Sequence, residues 1–265
     1  MKNVIRLLST FMMVLLLNNA FAKHEIKTEE IAYKTTDGTL CKGYVAYPAD
    51  QSKSDVILVV HEWWGCNDYA RMRANMLAEL GYFAFAVDMY GDGKIGADPK
   101  AAGELAGAFY NNPKLVLDRL QGAESKLKDF PMANTDQMGA IGYCFGGSMV
   151  LNAIKLGMDF KGVVSFHGNL QGVPVPAEGI KGKILVCHGN ADAFVKEEEV
   201  KNFKADMDKN KIDYKFIGYD NATHAFTNPA ATETGKKFSL PIEYNKAADL
   251  KSWNDMQEFL KSVLK

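Results

Sequence analysis

Runs of apolar residues recur along the chain and, in its later part, alternate with segments of helical periodicity. Eight runs predict β-strands, at residues 30–33, 41–47, 56–60, 83–87, 138–143, 162–166, 184–187 and 214–217. Six segments predict helices, at residues 69–80, 99–109, 114–127, 148–156, 196–208 and 245–263. This alternation is typical of the α/β class, with a mostly parallel sheet flanked by helices on both faces. The two opening strands have no helix between them and predict an antiparallel hairpin at one edge.

The N-terminus has the pattern of a secretory signal. Lys2 and Arg6 precede an apolar stretch at residues 7–17, and Ala20-Phe21-Ala22 forms a small-x-small cleavage site. The alternative is an uncleaved membrane anchor, for which this apolar stretch is short. We therefore expect residues 1–22 to be a signal peptide, residues 23–265 to form a single domain, and the protein to be exported, to the periplasm.

Composition and charge narrow the classes of partner. The formal net charge is -1 and the lysines are spread along the chain, so we expect no nucleic-acid partner and, after signal cleavage, no membrane contact. The four cysteines lie far apart, without the spacing of a zinc site or a redox motif, although a Cys41–Cys66 disulfide stays open. We expect a monomer that needs neither a metal nor an organic cofactor.

One glycine-rich turn contains a candidate catalytic nucleophile. Gly142-Tyr143-Cys144-Phe145-Gly146-Gly147 follows a predicted strand and precedes a predicted helix, which is the setting of the G-x-S-x-G nucleophile elbow. Cys144 takes the place of the serine. The positive end of a helix dipole favours the thiolate, the form that attacks carbonyl carbon. The alternative reading of Cys144 is a small buried hydrophobic residue in a tight turn.

An acid and a base follow the cysteine in the order that α/β-hydrolases use. Asp192 lies after the strand at residues 184–187, and His224 lies after the strand at residues 214–217. The carboxyl ends of parallel strands meet at one edge of a sheet, so Cys144, Asp192 and His224 can converge there. Taken one at a time, each of the two residues also has a purely structural interpretation. Asp192 would then be a turn or helix-capping residue, and His224 a loop histidine.

Three further histidines also follow predicted strands. His61, His167 and His188 all precede Asp192 in the chain, so none of them fits the order nucleophile, acid, base. We interpret His61 and His188 as structural or supporting groups.

Acyl transfer also needs donors for the oxyanion. The backbone N–H groups of Phe145, directly after the nucleophile, and of Trp63, after an early strand, occupy the expected positions. Glu62 would bring a carboxylate beside the thiol, and when charged it would favour the protonated thiol. Its alternative reading is a surface glutamate in a loop.

Four segments together resemble the dienelactone hydrolase family. They are His61-Glu62-Trp63-Trp64-Gly65, the cysteine elbow, Gly189-Asn190-Ala191-Asp192 and Thr223-His224-Ala225-Phe226. The resemblance implies an α/β-hydrolase fold and a Cys-Asp-His triad at Cys144, Asp192 and His224. It also implies a thioester acyl-enzyme, and a Glu62 that pairs with the resting thiol and helps to activate it when substrate arrives.

The resemblance also implies small esters or lactones as substrates, with one departure. Family members that open dienelactones hold the substrate carboxylate with arginines, one of them shortly after the triad histidine, where this chain reads Ala225-Phe226-Thr227-Asn228-Pro229. Lys94 is a candidate for the missing charge, and Trp64, Tyr90 and Phe226 are candidates for an aromatic pocket wall. The alternatives are a thioesterase or other acyl hydrolase on the same triad, or a binding protein without activity.

Overall fold

One sheet with helices on both faces forms the framework of the computed structural model, which describes residues 24–264. The predicted signal peptide, residues 1–22, lies outside these described residues. In chain order the elements are β1 (Ile26–Lys34), β2 (Leu40–Pro48), β3 (Ser54–Val60), α1 (Asp68–Glu79), β4 (Phe83–Val87), α2 (Pro99–Asn111), α3 (Lys114–Leu127), β5 (Ala133–Tyr143), α4 (Phe145–Lys155), β6 (Gly162–Phe166), β7 (Lys183–Gly189), α5 (Glu197–Lys209), β8 (Tyr214–Tyr219), α6 (Ala231–Phe238) and α7 (Lys246–Val263).

The strand order across the sheet is β1-β2-β4-β3-β5-β6-β7-β8. From β4 to β8 every neighbouring pair is parallel, whereas β1 and β2 form an antiparallel hairpin whose second strand pairs antiparallel with β4. The α/β class, the mostly parallel sheet and the edge hairpin are therefore confirmed. The parallel strands read as nearly continuous apolar runs because both of their faces are covered.

Two apolar layers hold the helices to the sheet. Alternate residues of β3 show the division, since Leu58 belongs to the layer under α2, α3, α4 and α5, while Ile57 and Val59 belong to the layer under α1 and α7. All three side chains are fully buried. The helices are thus anchored on both faces, and the carboxyl ends of the strands stay free for loops.

Helix α6 is the one element of the described chain that the sequence pattern did not predict. From the sequence alone, residues 227–240 are interpreted as a loop, because they contain Pro229 and Gly235 and are followed by Pro241. The structure instead has α6 between the prolines, and its buried positions, Ala231 and Gly235, are small. Such a short helix with a small buried face gives too weak a periodic signal to stand out.

Candidate active site

Cys144 lies at the sharp turn between β5 and α4. Its backbone has φ 54° and ψ -115°, a strained conformation for a residue with a side chain. A Cβ on Gly142 would come 2.0 Å from the carbonyl oxygen of Gly146, and a Cβ on Gly146 would come 2.2 Å from that of Val60. Glycine at both positions is therefore what lets the turn close on the neighbouring strand.

Asp192 and His224 meet beside this turn. The Asp192 carboxylate, whose side chain is fully buried, lies 2.8 Å from His224 Nδ1 through Oδ2 and accepts the Phe194 N–H through Oδ1 at 2.8 Å. His224 is held in its loop after β8 by a single parallel β-bridge to Ile242. The acid therefore fixes the imidazole orientation and leaves Nε2 for other contacts.

The charge around His224 favours its protonated form. Burial alone lowers the pKa of His224, but the Cys144 side chain and the Asp192 carboxylate outweigh it and raise the pKa to about 10. Cys144 and His224 also line one cavity. An imidazole with acceptors on both sides can take a proton from the thiol and hold it as an imidazolium.

Hydrogen bonds to its carbonyl oxygen fix the orientation of the peptide between Glu62 and Trp63. The Glu62 carbonyl oxygen accepts hydrogen bonds from the His61 ring Nδ1–H and from the Gly65 N–H at 3.2 Å. Because a trans peptide points its C=O and N–H in opposite directions, the Trp63 N–H faces away from these bonds. The Tyr90 hydroxyl donates to the Trp63 carbonyl at 2.9 Å and fixes the next peptide.

The peptide between Cys144 and Phe145 is fixed in the same way. The Cys144 carbonyl accepts the Ser148 N–H at 3.3 Å in the first turn of α4, so the Phe145 N–H points away from the helix. The Gly146 N–H donates to the His61 carbonyl at 3.1 Å and ties this turn to the loop that carries Trp63. Both candidate oxyanion donors thus belong to peptides whose orientation is set by backbone bonds.

Glu62 is buried under the cavity and contacts an amide. Its Oε2 accepts a hydrogen bond from Asn228 Nδ2 at 2.7 Å. Burial raises the pKa of Glu62 to about 7, although Asn228 and the positive charge of His224 oppose the change. Sequence reasoning did not indicate this bond from Asn228. The raised pKa of Glu62 places the change in its charge near neutral pH.

His167 supports the elbow from below, a role that sequence reasoning missed. Its Nδ1 accepts the Cys144 N–H at 3.1 Å, so the ring proton is on Nε2, which donates to the Thr227 hydroxyl at 2.7 Å. Burial holds the pKa of His167 well below its usual range, so the ring is neutral. The Thr227 hydroxyl in turn bonds to that of Tyr69 at 2.6 Å. The only feature of the sequence that pointed to a role for His167 in the site was its position directly after β6.

A cavity of about 230 Å³ opens above these groups. Larger surface grooves elsewhere on the described chain contain none of Cys144, His224 and Glu62. The lining residues come from seven separate parts of the chain. They are Glu62, Trp63, Trp64, Tyr110, Cys144, Phe145, Asn169, Phe194, His224, Ala225, Leu240 and Ile242.

Of the four predicted pocket residues, only Trp64 lines this cavity. Tyr90 is buried behind it against His61, and Phe226 is fully buried beside His167. The Lys94 side chain is exposed and lies outside the lining. Aromatic residues near strand ends pack in the core as readily as in a pocket, and the sequence does not separate the two.

Several of the lining residues were not indicated by the sequence. Tyr110 comes from the last turn of α2, Phe194 follows the Asp192 loop, and Leu240 and Ile242 follow α6. Only tertiary contacts bring these segments together.

The described residues contain no group of three or more His, Cys, Asp or Glu side chains arranged to hold a metal ion. Cys41, Cys66, Cys144 and Cys187 are all unpaired, so no disulfide joins Cys41 to Cys66. Within residues 24–264, no helix combines the length and apolar character needed to cross a bilayer.

The sheet order, the strained cysteine elbow and the Asp–His pair define an α/β-hydrolase. Residues 41–264 match the model of the dienelactone hydrolase family. The chain is 27% identical to a putative carboxymethylenebutenolidase of Aquifex aeolicus, covering 86% of this chain and 96% of that protein. It is 25% identical to a carboxymethylenebutenolidase of Rhodococcus opacus, over 88% and 91% of the two chains.

A solved structure is similar over nearly the same length. The dienelactone hydrolase-like promiscuous phosphotriesterase P91, from metagenomic libraries, superposes with a TM-score of 0.84 at 29% identity, covering 91% of this chain and 99% of that one. The chain belongs to the dienelactone hydrolase family, and the predicted resemblance is confirmed. Family membership identifies it as a hydrolase that acts on ester bonds.

Proposed function

We propose that the protein hydrolyses small carboxylic esters or lactones through a Cys144-His224-Asp192 triad and a thioester acyl-enzyme. The observation that carries the proposal is the 2.8 Å contact between Asp192 and His224 beside the strained elbow that presents Cys144. Both support a nucleophile, a base and an orienting acid in the order that acyl transfer requires.

Acylation follows from the orientation of His224. With Nδ1 held by Asp192, Nε2 takes the Cys144 thiol proton, and the sulfur attacks the ester carbonyl carbon. The electron pair of the C=O bond moves to oxygen, and the N–H groups of Trp63 and Phe145 stabilise this oxyanion. When the pair returns, the carbon–oxygen bond to the alcohol breaks, and His224 gives its proton to the leaving oxygen. A thioester on Cys144 remains.

Deacylation repeats these steps with water. His224 Nε2 takes a proton from water, the hydroxide oxygen attacks the thioester carbon, and the same N–H groups hold the second oxyanion. The carbon–sulfur bond then breaks, and the proton on His224 returns to the sulfur as the acid leaves. In a lactone the alcohol and acid are one molecule, which leaves only at this stage.

Glu62 acts on the nucleophile through its charge. When Glu62 is ionised, its negative charge favours the protonated thiol, and when it is neutral this opposition disappears. Its burial and its bond to Asn228 support a group that changes charge near neutral pH. Pairing of Glu62 with the resting thiol, with release when substrate enters, is the role that we propose from the family resemblance.

The test compares the reduced protein with its Cys144→Ala variant. We expect the protein to hydrolyse p-nitrophenyl acetate and members of a small lactone panel, and to show an acetyl adduct by intact mass. Cys144→Ala should lose both while unfolding cooperatively. The matched control is Cys66→Ala, which removes a thiol outside the cavity and should retain activity within about twofold.

The other possible outcomes of this test would contradict the proposal or favour one of its alternatives. Activity in Cys144→Ala would remove the central claim. Turnover of acyl thioesters but not of oxygen esters would favour a thioesterase on the same triad, and a folded, reduced protein without turnover or adduct would favour a binding protein. The similarity to P91 also favours uncharged phosphotriesters as a second candidate substrate class, testable in the same assay.

We also propose that the protein is exported after cleavage behind Ala22 and acts as a periplasmic monomer. The basic residues, apolar stretch and small-x-small site of the N-terminus support export. N-terminal sequencing of the protein recovered from the periplasmic fraction should begin at Lys23, and sedimentation should give one chain. An N-terminus at Met1 in the cytoplasmic fraction would contradict export.

A further inference from the structure

The cavity above Cys144 has no lysine or arginine side chain in its lining. Among the described residues that line it, the titratable ones are Glu62, Tyr110, Cys144 and His224, and the rest are mostly aromatic or aliphatic. His224 is the one group there that gains positive charge, and it already faces Asp192. A substrate carboxylate in this cavity would therefore lose water without gaining a dedicated partner.

The arginines of the described chain are engaged elsewhere. Each one forms an ion pair with a carboxylate outside the cavity lining: Arg71 with Glu30, Arg73 with Asp249, and Arg119 with Asp37 and Asp118. Arg73 is also buried among aromatic rings. None of them is available to enter the cavity without breaking its own pair.

Two large apolar side chains stand exposed at the cavity mouth. Tyr110 is 51% exposed and packs edge-on against Phe145, and Phe194 is 47% exposed and packs edge-on against His224 at 5.0 Å between ring centroids. Most other large apolar side chains of the described residues are buried. Exposed aromatic rings at the rim of a concave site are typical contacts for apolar ligand groups.

The proton transfer decides which part of the substrate meets Phe194. His224 must deliver a proton to the leaving oxygen, so the alcohol part of an ester lies against the imidazole. Phe194 packs edge-on against this imidazole and lines the same cavity, which places it on the side of the alcohol part. Tyr110 packs edge-on against the ring of Phe145 instead.

We infer that the preferred substrates are uncharged esters with a flat apolar alcohol part, recognised by Phe194, rather than esters that bear a carboxylate. This inference rests on the proposed function and specifies its substrate class. Phe194 is then a specificity-determining residue, and the lack of a lysine or arginine in the lining disfavours anionic analogues.

The first test compares phenyl acetate with 4-acetoxybenzoate, which share the acyl group and differ by one carboxylate on the alcohol part. Rates are divided by those of alkaline hydrolysis to remove intrinsic reactivity. We expect kcat/KM to favour phenyl acetate by about tenfold or more, because the carboxylate is desolvated without a partner.

A charge introduced into the lining should reverse part of this preference. Leu240→Arg brings a guanidinium to the cavity and should improve hydrolysis of the carboxylate-bearing ester, relative to phenyl acetate, at least about threefold in kcat/KM. The matched control is Leu250→Arg, which adds the same charge at an exposed position of α7 outside the lining and should leave the ratio unchanged.

The role of Phe194 is tested with phenyl acetate and methyl acetate. Phe194→Ala should lower the preference for the phenyl ester about fivefold, the size of one lost aromatic contact, and Phe194→Leu should lower it less. Both esters use the same His224, so any effect of the variant on the base cancels in the ratio. Leu250→Ala is the control at another exposed apolar position.

The outcomes separate the two proposals. Equal rates for phenyl acetate and 4-acetoxybenzoate, or a preference for the anion, would overturn this inference while the hydrolase proposal stands. An unchanged phenyl-to-methyl ratio in Phe194→Ala would remove Phe194 from recognition. Failure of the folded protein to turn over any ester would overturn the proposed function and this inference with it.

Discussion

The floor and the wall of the cavity are built in different ways. By the floor we mean the strand-end residues Glu62, Cys144 and Asp192, and by the wall we mean residues 225–242. The floor is fixed by strand ends, by glycines with no room for a side chain and by backbone hydrogen bonds. The wall is joined to the rest of the site by the bridge between His224 and Ile242 and by side-chain hydrogen bonds at Thr227 and Asn228.

This difference indicates which residues carry out the reaction and which determine the choice of substrate. The floor orients groups whose positions must be accurate for bond making, and it allows little change. The wall supplies apolar surface, where several side chains of similar size serve equally well. Substitutions in the floor should therefore remove activity or folding, and substitutions in the wall should alter substrate choice.

The largest expected effect comes from the floor acid. Asp192→Asn should lower kcat by about 10³-fold, because the amide no longer holds the His224 tautomer that accepts the thiol proton. The measurement is steady-state hydrolysis of p-nitrophenyl acetate. Asp213→Asn, at an exposed ion pair with Lys183, is the matched control and should stay within about twofold. A rate within tenfold of the parent for Asp192→Asn would assign the acid to another residue.

The next largest effect concerns the glycine behind the nucleophile. Gly146→Ala should lower the free energy of unfolding by about 3 kcal/mol or more, because the new Cβ would meet backbone atoms of Val60 and His61. Urea denaturation measures it. Gly103→Ala in α2, where the Cβ meets nothing within 4 Å, should be neutral or stabilise by up to about 1 kcal/mol. Equal effects at the two positions would mean that the elbow has room to relax.

A smaller effect follows from the burial of Glu62. Burial raises the pKa of Glu62 from 4.5 to about 7, so the folded protein keeps this proton more tightly than the unfolded chain. The stabilisation is complete below pH 4.5 and is lost as pH rises through 7. It amounts to about 3–4 kcal/mol, since one pKa unit is worth about 1.4 kcal/mol.

The check is the stability of the protein and of Glu62→Gln between pH 5 and 8. His61, His167 and His224 titrate in both proteins, so the difference between the two curves isolates Glu62. We expect the parent to lose stability relative to Glu62→Gln as pH rises. Parallel curves would show that Glu62 is ionised throughout this range.

The smallest effect is expected in the wall. Phe238 stacks on Trp64 at 5.7 Å between ring centroids and so supports the cavity side without lining it. Phe238→Ala should lower stability by about 1 kcal/mol and change the ranking of ester substrates a few-fold, with kcat for acetate esters within about threefold. A loss of acetate turnover comparable to Asp192→Asn would mean that wall and floor are not separable.

Most of the fold could be predicted from the sequence, because the patterns that indicate strands and helices are local. Eight apolar runs and six periodic segments predicted every strand and every helix of the described chain except α6. The elbow was readable for the same reason, since Gly142, Cys144 and Gly146 lie within five consecutive positions. The order of Cys144, Asp192 and His224 added the topology that places strand ends at one edge.

The remaining features of the site depend on contacts between distant residues. Asn228 and Glu62 lie 166 positions apart, and the bond between them has no pattern in the chain. The same holds for the bond of His167 to the Cys144 N–H across 23 positions. Tyr90 and Phe226 were predicted to line the cavity but are buried outside it, because residue type alone does not distinguish core from cavity.

The bridge between His224 and Ile242 has a practical consequence for redesign. It closes a loop, residues 224–242, whose last residues, Leu240 and Ile242, line the cavity. The part of this loop around α6, between Asn228 and Leu240, can be exchanged as a cassette, with libraries of different length and sequence inserted there. Screening them would vary which esters are accepted while Asn228 and the reacting groups keep their identity.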